Sequence, residues 1–141
     1  MKVSIIIVSY YTGSILAKNL QIALQQSDLL KEVIVVNNGN PKIMTDFLKS
    51  AEIKFEKLKV INNSFNQGFS ASVNKAVKKS TGEYILLLNP DCILDNPNVL
   101  DNCMAQLKRL KADVAGTNLI DDDGNEHPTA RRNLLLSLIH I

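Results

Sequence analysis

The chain contains no tryptophan, and aromatic residues make up only 5% of its 141 residues. Few rings are therefore available to stack on nucleic-acid bases. An excess of charge is also missing, because 16 Lys and Arg face 14 Asp and Glu and leave a formal charge of +2. A surface that binds many phosphates needs a larger positive excess. These absences argue against a nucleic-acid partner.

Cysteine is scarce as well, with Cys92 and Cys103 as the two examples. Their spacing fits neither a disulfide framework nor a paired zinc motif. Free thiols are typical of a reducing compartment, so we expect a cytoplasmic protein. The first apolar run, residues 3–8, is far shorter than the roughly 20 residues of a membrane-spanning helix and indicates a buried strand.

Several motifs of phosphate binding and hydrolysis are absent. No GxGxxG follows the first apolar run, no GxxxxGK[ST] occurs, and no GxSxG elbow occurs. Dinucleotide binding of the usual kind, P-loop chemistry and serine hydrolysis therefore lack their characteristic residues. A phosphoacceptor domain would need acidic residues after the first strand, where Tyr10 and Tyr11 stand instead.

The hydrophobic residues, 45% of the chain, are sufficient for one globular domain with its own core. Runs rich in Val and Ile alternate with segments of helical period, which predicts an α/β fold with three layers, α/β/α, and a mostly parallel sheet. The predicted strands cover residues 3–9, 32–37, 58–62, 84–88 and 114–120. The predicted helices cover residues 15–26, 42–51, 70–79 and 96–111. Strand 84–88 is the most continuously apolar, so we expect it in the centre of the sheet.

A C-terminal hairpin is predicted after these elements. The sequence DDDGN at residues 121–125 is a strong turn signal. The returning strand is expected over residues 126–131.

Ligands of open α/β sheets bind beyond the carboxyl ends of the strands. Four predicted loops lie there: residues 9–12, 37–40, 62–68 and 89–92. All four carry polar side chains with little net charge, and only the last places a carboxylate, Asp91, at a strand end. The set is typical of a nucleotide site completed by a metal.

Four motifs in this order resemble the family 2 glycosyltransferases of the Rossmann-like GT-A fold. They are VSIIIVSY at residues 3–10, VVNNG at 35–39, NQGF at 66–69 with Asn74, and GEYILLLNPD at 82–91. The resemblance covers nearly the whole chain, and the Asn-Pro-Asp form is most similar to the rhamnosyltransferase-like branch. It implies inverting transfer of a sugar from a nucleoside diphosphate donor, UDP- or dTDP-linked, to a saccharide or lipid-linked acceptor in cell-surface polysaccharide synthesis.

The resemblance implies that Asp91 binds Mg²⁺ or Mn²⁺. Such a cation stabilises the charge that develops on the departing diphosphate. The family usually has Asp-x-Asp at this position, where this chain has Asn89 in place of the first acid. One charge is therefore missing, and we expect low metal affinity in the absence of the donor. The alternative is that residues 89–91 are an ordinary turn that ends a strand.

The resemblance also assigns a pocket for the base of the donor. Asn37 or Asn38 is expected to face the base, although the family usually has Asp at the first of these positions. Ser9 and Tyr10 are expected to line the same pocket, with Tyr10 able to stack on the base. The alternatives are an Asx turn for the two asparagines and a packing role for Ser9 and Tyr10.

The remaining candidates are a glycine and two arginines. Gly68 is expected to permit a backbone conformation or a close approach that a side chain would block, while Asn66 and Asn74 fix its loop and the next helix. Arg131 and Arg132 could reach a diphosphate or an anionic carrier, and solvated charge is the alternative.

A general base for the acceptor hydroxyl is not evident in the sequence, because the family places it beyond the hairpin. We therefore expect the donor-binding, N-terminal part of a transferase as a single, C-terminally truncated domain of residues 1–141, with weak or no activity alone. The alternative is a noncatalytic nucleotide-sugar-binding or assembly module. The apolar segment that begins at Leu134 and ends at Ile139 is a candidate contact for a second copy of the chain, a missing helix or the membrane surface.

Overall fold

A four-stranded parallel sheet is the centre of the fold in the computed structural model, which describes residues 1–121 and 123–126. The strand order is β3-β2-β1-β4, and all three pairings are parallel. This confirms the predicted α/β architecture. The strands are β1 (Val3–Ser9), β2 (Leu30–Asn38), β3 (Leu58–Asn63) and β4 (Tyr84–Leu87).

Helices connect the strands, and the order of the strands determines which face each helix covers. They are α1 (Ile15–Leu24), α2 (Lys42–Lys54), α3 (Phe69–Val77) and α4 (Val99–Leu110). Right-handed crossovers place α1 and α2 on one face of the sheet, since the chain moves outward from β1 to β3. The next crossover returns past β1 and places α3 on the other face, where Val73 and Ala76 pack against Ile6 and Ile34.

The two inner strands form the core. All seven residues of β1 are buried, and so are eight of the nine residues of β2. Both faces of these strands are covered, which is why their sequence is continuously apolar rather than alternating.

The prediction that strand 84–88 is central was wrong. Among the described residues β4 pairs on one side, with β1, and lies at the edge of the sheet. Its side chains alternate in burial, with Ile85 40% and Leu87 51% exposed. A continuous run of apolar residues indicates a strand, but it does not show how many partner strands that strand has.

The predicted strand over residues 114–120 was also wrong. Of these residues Ile120 pairs, in an isolated antiparallel bridge with Glu126, while Val114 is 87% exposed. The described residues offer the segment no partner strand, and β-propensity without a partner does not make a strand. The tight turn is confirmed, because Asp121 accepts hydrogen bonds from the backbone N–H groups of Asp123 and Asn125. Of the predicted returning strand, Glu126 alone lies within the described residues.

The chain divides into two compact units, Met1–Met104 and Ala105–Ile141. The first contains the whole sheet. The second contains the end of α4 and the turn before Glu126. None of the helices in the described ranges is long and apolar enough to cross a bilayer.

A buried carboxylate connects the strands near their amino ends, at the end of the sheet opposite the predicted site. Glu32 is 2% exposed and accepts hydrogen bonds from the hydroxyl of Ser4 and from the backbone and hydroxyl of Thr81, while Lys59 forms an ion pair with it. Burial alone would raise the pKa of Glu32, but these interactions lower it to about 2. As a carboxylate, the side chain therefore joins β1, β2, β3 and the segment that precedes β4.

Candidate functional site

One asparagine connects the loops that follow β1 and β2. Nδ2 of Asn40 donates to the backbone oxygen of Ser9 at 2.8 Å and to its hydroxyl at 3.2 Å. Oδ1 of Asn40 accepts from the backbone N–H of Tyr11 at 2.6 Å. Because the amide of Asn40 bonds to Ser9 and to Tyr11, it holds the loop after β2 against the loop after β1.

Asn37 is buried and its amide is fully used within the protein. Nδ2 donates to Thr45 and to Oδ1 of Asn62, and Oδ1 accepts from the backbone and side chain of Asn40. The side chain of Asn37 therefore holds the loop after β2, with its Oδ1 bonded to the backbone N–H three residues further along. A hydrogen bond to a base would require it to exchange one of these partners.

Asn38 is also buried and connects β2 to the loop after β3. Nδ2 donates to Oδ1 of Asn66, and Oδ1 accepts from the side chain of Asn63 and the backbone N–H of Gln67. The segments 9–12, 37–40 and 62–68 are therefore joined by side-chain amides.

Ser9 and Tyr10 differ in their exposure. Ser9 is fully buried, and its hydroxyl lies 3.1 Å from that of Thr12. Tyr10 is 50% exposed, and its ring meets the ring of Tyr11 edge to face with centroids 4.8 Å apart. The Tyr10 ring is accessible to a ligand, whereas Ser9 supports the loop from within.

Two glycines permit this arrangement of loops. Gly39 has a φ of +83°, and a Cβ there would lie 2.8 Å from the backbone N of Asn66. Gly68 has a φ of +82° at the start of α3, with open space where a Cβ would stand. Of the two reasons expected for a glycine at 68, the structure supports the backbone conformation. Asn66 fixes this loop by accepting from the backbone N–H of Gly68.

Asp91 lies in a tight turn directly after β4. The backbone N–H of Cys92 donates to the oxygen of Asn89 at 3.1 Å and closes the turn, with Asp91 exposed at its third position. Nδ2 of Asn19, on α1, donates to the backbone oxygens of Asn89 and Cys92 at 3.0 and 2.5 Å. The acid is therefore accessible on a backbone that is held from both sides.

Cys92 borders Asp91, but its thiol is not activated. Burial and then the charge of Asp91 raise the pKa of the Cys92 thiol, and burial raises that of Cys103. A thiolate is the reactive form of cysteine, so both side chains are protonated at neutral pH. This agrees with a packing role for both.

The carboxylate of Asp91 could bind a hard divalent cation whose other ligands come from a substrate and from water. Within residues 1–121 and 123–126 no three metal-ligating side chains come together, and no ion pair involves Asp91. Mg²⁺ commonly binds through one or two carboxylates together with substrate phosphates and water. One accessible carboxylate on a rigid turn fits this mode and does not form a complete metal site alone.

The supporting role of two residues, Asn19 and Asn40, was not predicted from the sequence. Asn19 falls on the inward face of a predicted helix among leucines, and a polar residue on such a face was the available indication of a buried partner. Asn40 stood in a loop dense in turn residues, where nothing distinguished it. Arg131, Arg132 and the segment 134–139 lie outside the described residues.

Comparison with known proteins places this geometry in a family. The model of glycosyl transferase family 2 matches residues 4–139. Poly-beta-1,6-N-acetyl-D-glucosamine synthase of Staphylococcus epidermidis is 31% identical over 70 residues, which are 47% of this chain and 16% of that protein.

Two solved structures share the fold. A mannosyltransferase from Pyrobaculum calidifontis, in complex with GDP-Man and Mn²⁺, superposes with a TM-score of 0.68 at 18% identity and covers 83% of this chain and 34% of its own. TarS residues 1–349 of S. aureus, in complex with UDP-GlcNAc, gives 0.67 at 24% identity and covers 86% and 37%.

The chain therefore spans about a sixth of the length of the synthase and about a third of the length of each of the two solved structures. The sheet with helices on both faces is that of the GT-A glycosyltransferases. Because the family model spans nearly all of the sequence, the chain belongs to glycosyl transferase family 2.

Proposed function

We propose that this chain binds a UDP- or dTDP-sugar at the carboxyl edge of its sheet and serves transfer of the sugar, with inversion, to a saccharide or lipid-linked acceptor. Membership of the family supports transfer from a nucleotide sugar. The poly-N-acetylglucosamine synthase among its relatives supports a role in cell-surface polysaccharide synthesis.

The observation that carries the proposal is the exposed carboxylate of Asp91 in a turn held by Asn19. In the proposed complex Asp91 and the donor diphosphate share one Mg²⁺ or Mn²⁺. The cation supplies positive charge that stabilises the departing diphosphate. A related GT-A structure that contains GDP-Man and Mn²⁺ supports a divalent cation in this role. Asn89 is exposed beside it, and as an amide it can donate to a sugar hydroxyl or a phosphate oxygen.

The base is proposed to lie against the exposed face of Tyr10. Stacking needs an accessible ring, which Tyr10 offers. Ser9, Asn37 and Asn38 act beneath it by holding the three loops, and Gly68 sets the path of the loop into α3. Arg132 remains a proposed contact of the diphosphate.

Two donors are the first to test. The TarS complex with UDP-GlcNAc favours that compound. The Asn-Pro-Asp sequence at 89–91, which resembles the rhamnosyltransferase-like branch, favours dTDP-rhamnose. The contact proposed for the segment from Leu134 to Ile139, with a second copy of the chain or the inner face of the membrane, also remains to be tested.

Calorimetric titration of the chain with UDP-GlcNAc, dTDP-rhamnose, GDP-mannose and an adenine dinucleotide, each with and without Mn²⁺, tests the proposal. We expect binding of a uridine or thymidine donor that depends on Mn²⁺ and is lost in Asp91→Asn. Asp95→Asn is the matched control, since it removes an exposed acid four residues further along the same segment and should bind like the wild type. Preference for an adenine dinucleotide, or equal binding by Asp91→Asn, would overturn the proposal.

Turnover separates an enzyme from a binding module. Slow donor hydrolysis that disappears in Asp91→Asn would support the transferase. Tight Mn²⁺-dependent binding of the donor without any turnover by the complete protein would favour the noncatalytic module instead.

A further inference from the structure

Helix α1 and the bend that follows it present two buried amides to the segment that follows β4. Asn19, on the helix, is 1% exposed, and Gln26, two residues beyond the end of the helix, is 6% exposed. Nε2 of Gln26 donates to the backbone oxygen of Asn96 at 2.8 Å. Gln26 therefore holds the distant part of this segment, while Asn19 holds the part that carries Asp91.

The contacts of Asn19 are concentrated on the turn of Asp91. Its Nδ2 donates to the backbone oxygens of Asn89 and Cys92, which lie on either side of the Pro90-Asp91 pair. The oxygen of Asn89 also accepts from the N–H of Cys92. Rotation of the turn about its ends would break the contacts of Asn19, so one side chain restricts the direction in which Asp91 can project.

The base of this support is rigid. Leu16, Leu20 and Ala23 on α1 are fully or almost fully buried, which fixes the helix against its surroundings. The side-chain hydrogen bonds of Asn19 both go to the turn, since its Nδ2 donates there and its Oδ1 is buried without a hydrogen-bond partner among the described residues. Removal of Asn19 would leave the two backbone oxygens without this donor.

We propose that Asn19 is a positioning residue that sets the direction of Asp91 for the metal and the donor diphosphate. This inference rests on the proposed function of Asp91. Asn19 touches neither ligand, and it acts through the two carbonyl groups it holds. Loss of Nδ2 is expected to loosen the turn while β4 and α1 remain in place.

Two measurements on the full chain test the proposal, and Cys92 supplies the first. In a Cys103→Ser background, the rate at which a thiol reagent modifies Cys92 at fixed pH reports the mobility of the turn. The second is Mn²⁺-dependent binding of UDP-GlcNAc by calorimetry. Asn19→Leu removes the donor groups, and Gln26→Leu is the matched control because it removes a buried amide, just beyond the end of α1, that contacts the same segment at a distance from Asp91.

We expect Asn19→Leu to raise the modification rate of Cys92 and the dissociation constant of UDP-GlcNAc by roughly tenfold each, the size of effect of a lost buried hydrogen bond. Gln26→Leu should change both by less than about threefold. Thermal unfolding measures how far each variant is destabilised. If Asn19→Leu does not fold, Asn19→Ser, which is smaller and keeps one hydroxyl donor, is measured instead and should show the same order of effects.

Wild-type modification of Cys92 in the folded Asn19 variant would overturn the inference, as would equal effects of Asn19→Leu and Gln26→Leu. The failure of the proposed function is a different result. A wild-type protein that binds no nucleotide sugar with Mn²⁺ contradicts the proposed function, whereas the modification rates still decide whether Asn19 holds the turn.

Discussion

The side-chain amide of Asn40 donates to the backbone oxygen of Ser9 across 2.8 Å, and its oxygen accepts from the N–H of Tyr11. A residue that follows β2 thereby fixes the conformation of the residues that follow β1. Because Tyr10 lies between Ser9 and Tyr11, the position of its exposed ring depends on Asn40.

Replacement of Asn40 by alanine is expected to weaken both donor binding and folding. The variant loses its side-chain contacts with Ser9, Tyr11 and Asn37, and we expect a loss of about 1–2 kcal/mol in the free energy of unfolding. UDP-GlcNAc binding should fall by roughly tenfold, because the ring of Tyr10 is no longer held. Calorimetry and urea unfolding measure the two effects. Asn102→Ala, an exposed asparagine of α4, should change neither, and intact binding by Asn40→Ala would contradict the role of Asn40.

The ring of Tyr10 is expected to contribute to donor affinity by stacking. Tyr10→Ala should weaken UDP-GlcNAc binding by roughly tenfold, since stacking of a base on an aromatic ring contributes about 1–3 kcal/mol, while Tyr10→Phe should retain it. Ile53→Ala removes another exposed apolar side chain, at the end of α2, and serves as the control. Equal binding by Tyr10→Ala and the wild type would remove Tyr10 from the site.

Glu32 should make the stability of the protein depend on acidity. Its pKa is about 2 in the folded protein, compared with 4.5 for a free glutamate. A lowered pKa stabilises the fold at pH values above 4.5, and this contribution is lost as the pH falls from about 4.5 through 2. The difference corresponds to roughly 3 kcal/mol at neutral pH.

Urea unfolding of Glu32→Gln at several pH values measures this contribution. We expect the variant to be less stable than the wild type at pH 7 and the two to converge between about pH 4 and pH 2. Glu56→Gln, which changes an exposed acid, should follow the wild type throughout. A constant difference between the Glu32 variant and the wild type at all pH values would show that the charge of Glu32 is not responsible.

A methyl group at position 82 should destabilise the sheet at the amino ends of its strands, which lie opposite the candidate site. A Cβ on Gly82 would lie 2.6 Å from the backbone N and 2.7 Å from the hydroxyl of Ser4, so β1 and the segment that precedes β4 must separate. We expect Gly82→Ala to lose about 1–3 kcal/mol. Gly116→Ala, where a Cβ meets nothing within 4 Å, should stay within about 0.5 kcal/mol of the wild type. Thermal unfolding compares the two, and equal stabilities would contradict the contact at Gly82.

Sequence periodicity predicted where the main strands and helices lie in the chain, but it did not predict which strands pair in the sheet. The strands that begin at Val3 and Leu58 start where they were predicted, because buried parallel strands and turn residues leave a clear local pattern. The position of β4 in the sheet was missed, since the number of partner strands is a property of the whole fold. The same reason explains the predicted strand over 114–120, which had the composition of a strand and lacks a partner among the described residues.

The candidate site divides in the same way. Rules on strand ends identified the loops that contain Ser9, Asn38 and Asp91, because parallel strands place their carboxyl ends at one edge. They could not show that Asn37 and Asn38 direct their amides into the protein, because hydrogen-bond partners are decided by residues distant in the sequence. The support of Asp91 by Asn19 was invisible for this reason.

The sequence by itself determined the parallel α/β fold, the loops of the site and the single acid at the end of β4, because hydrophobic period, turn residues and charge are local properties of the chain. Only the tertiary structure decided which strand lies at the edge, which asparagines hold the loops, and what fixes Asp91. These features depend on contacts between residues that are far apart in the sequence, such as Asn19 and Cys92, which are 73 positions apart, and such contacts form when the strands and helices pack together.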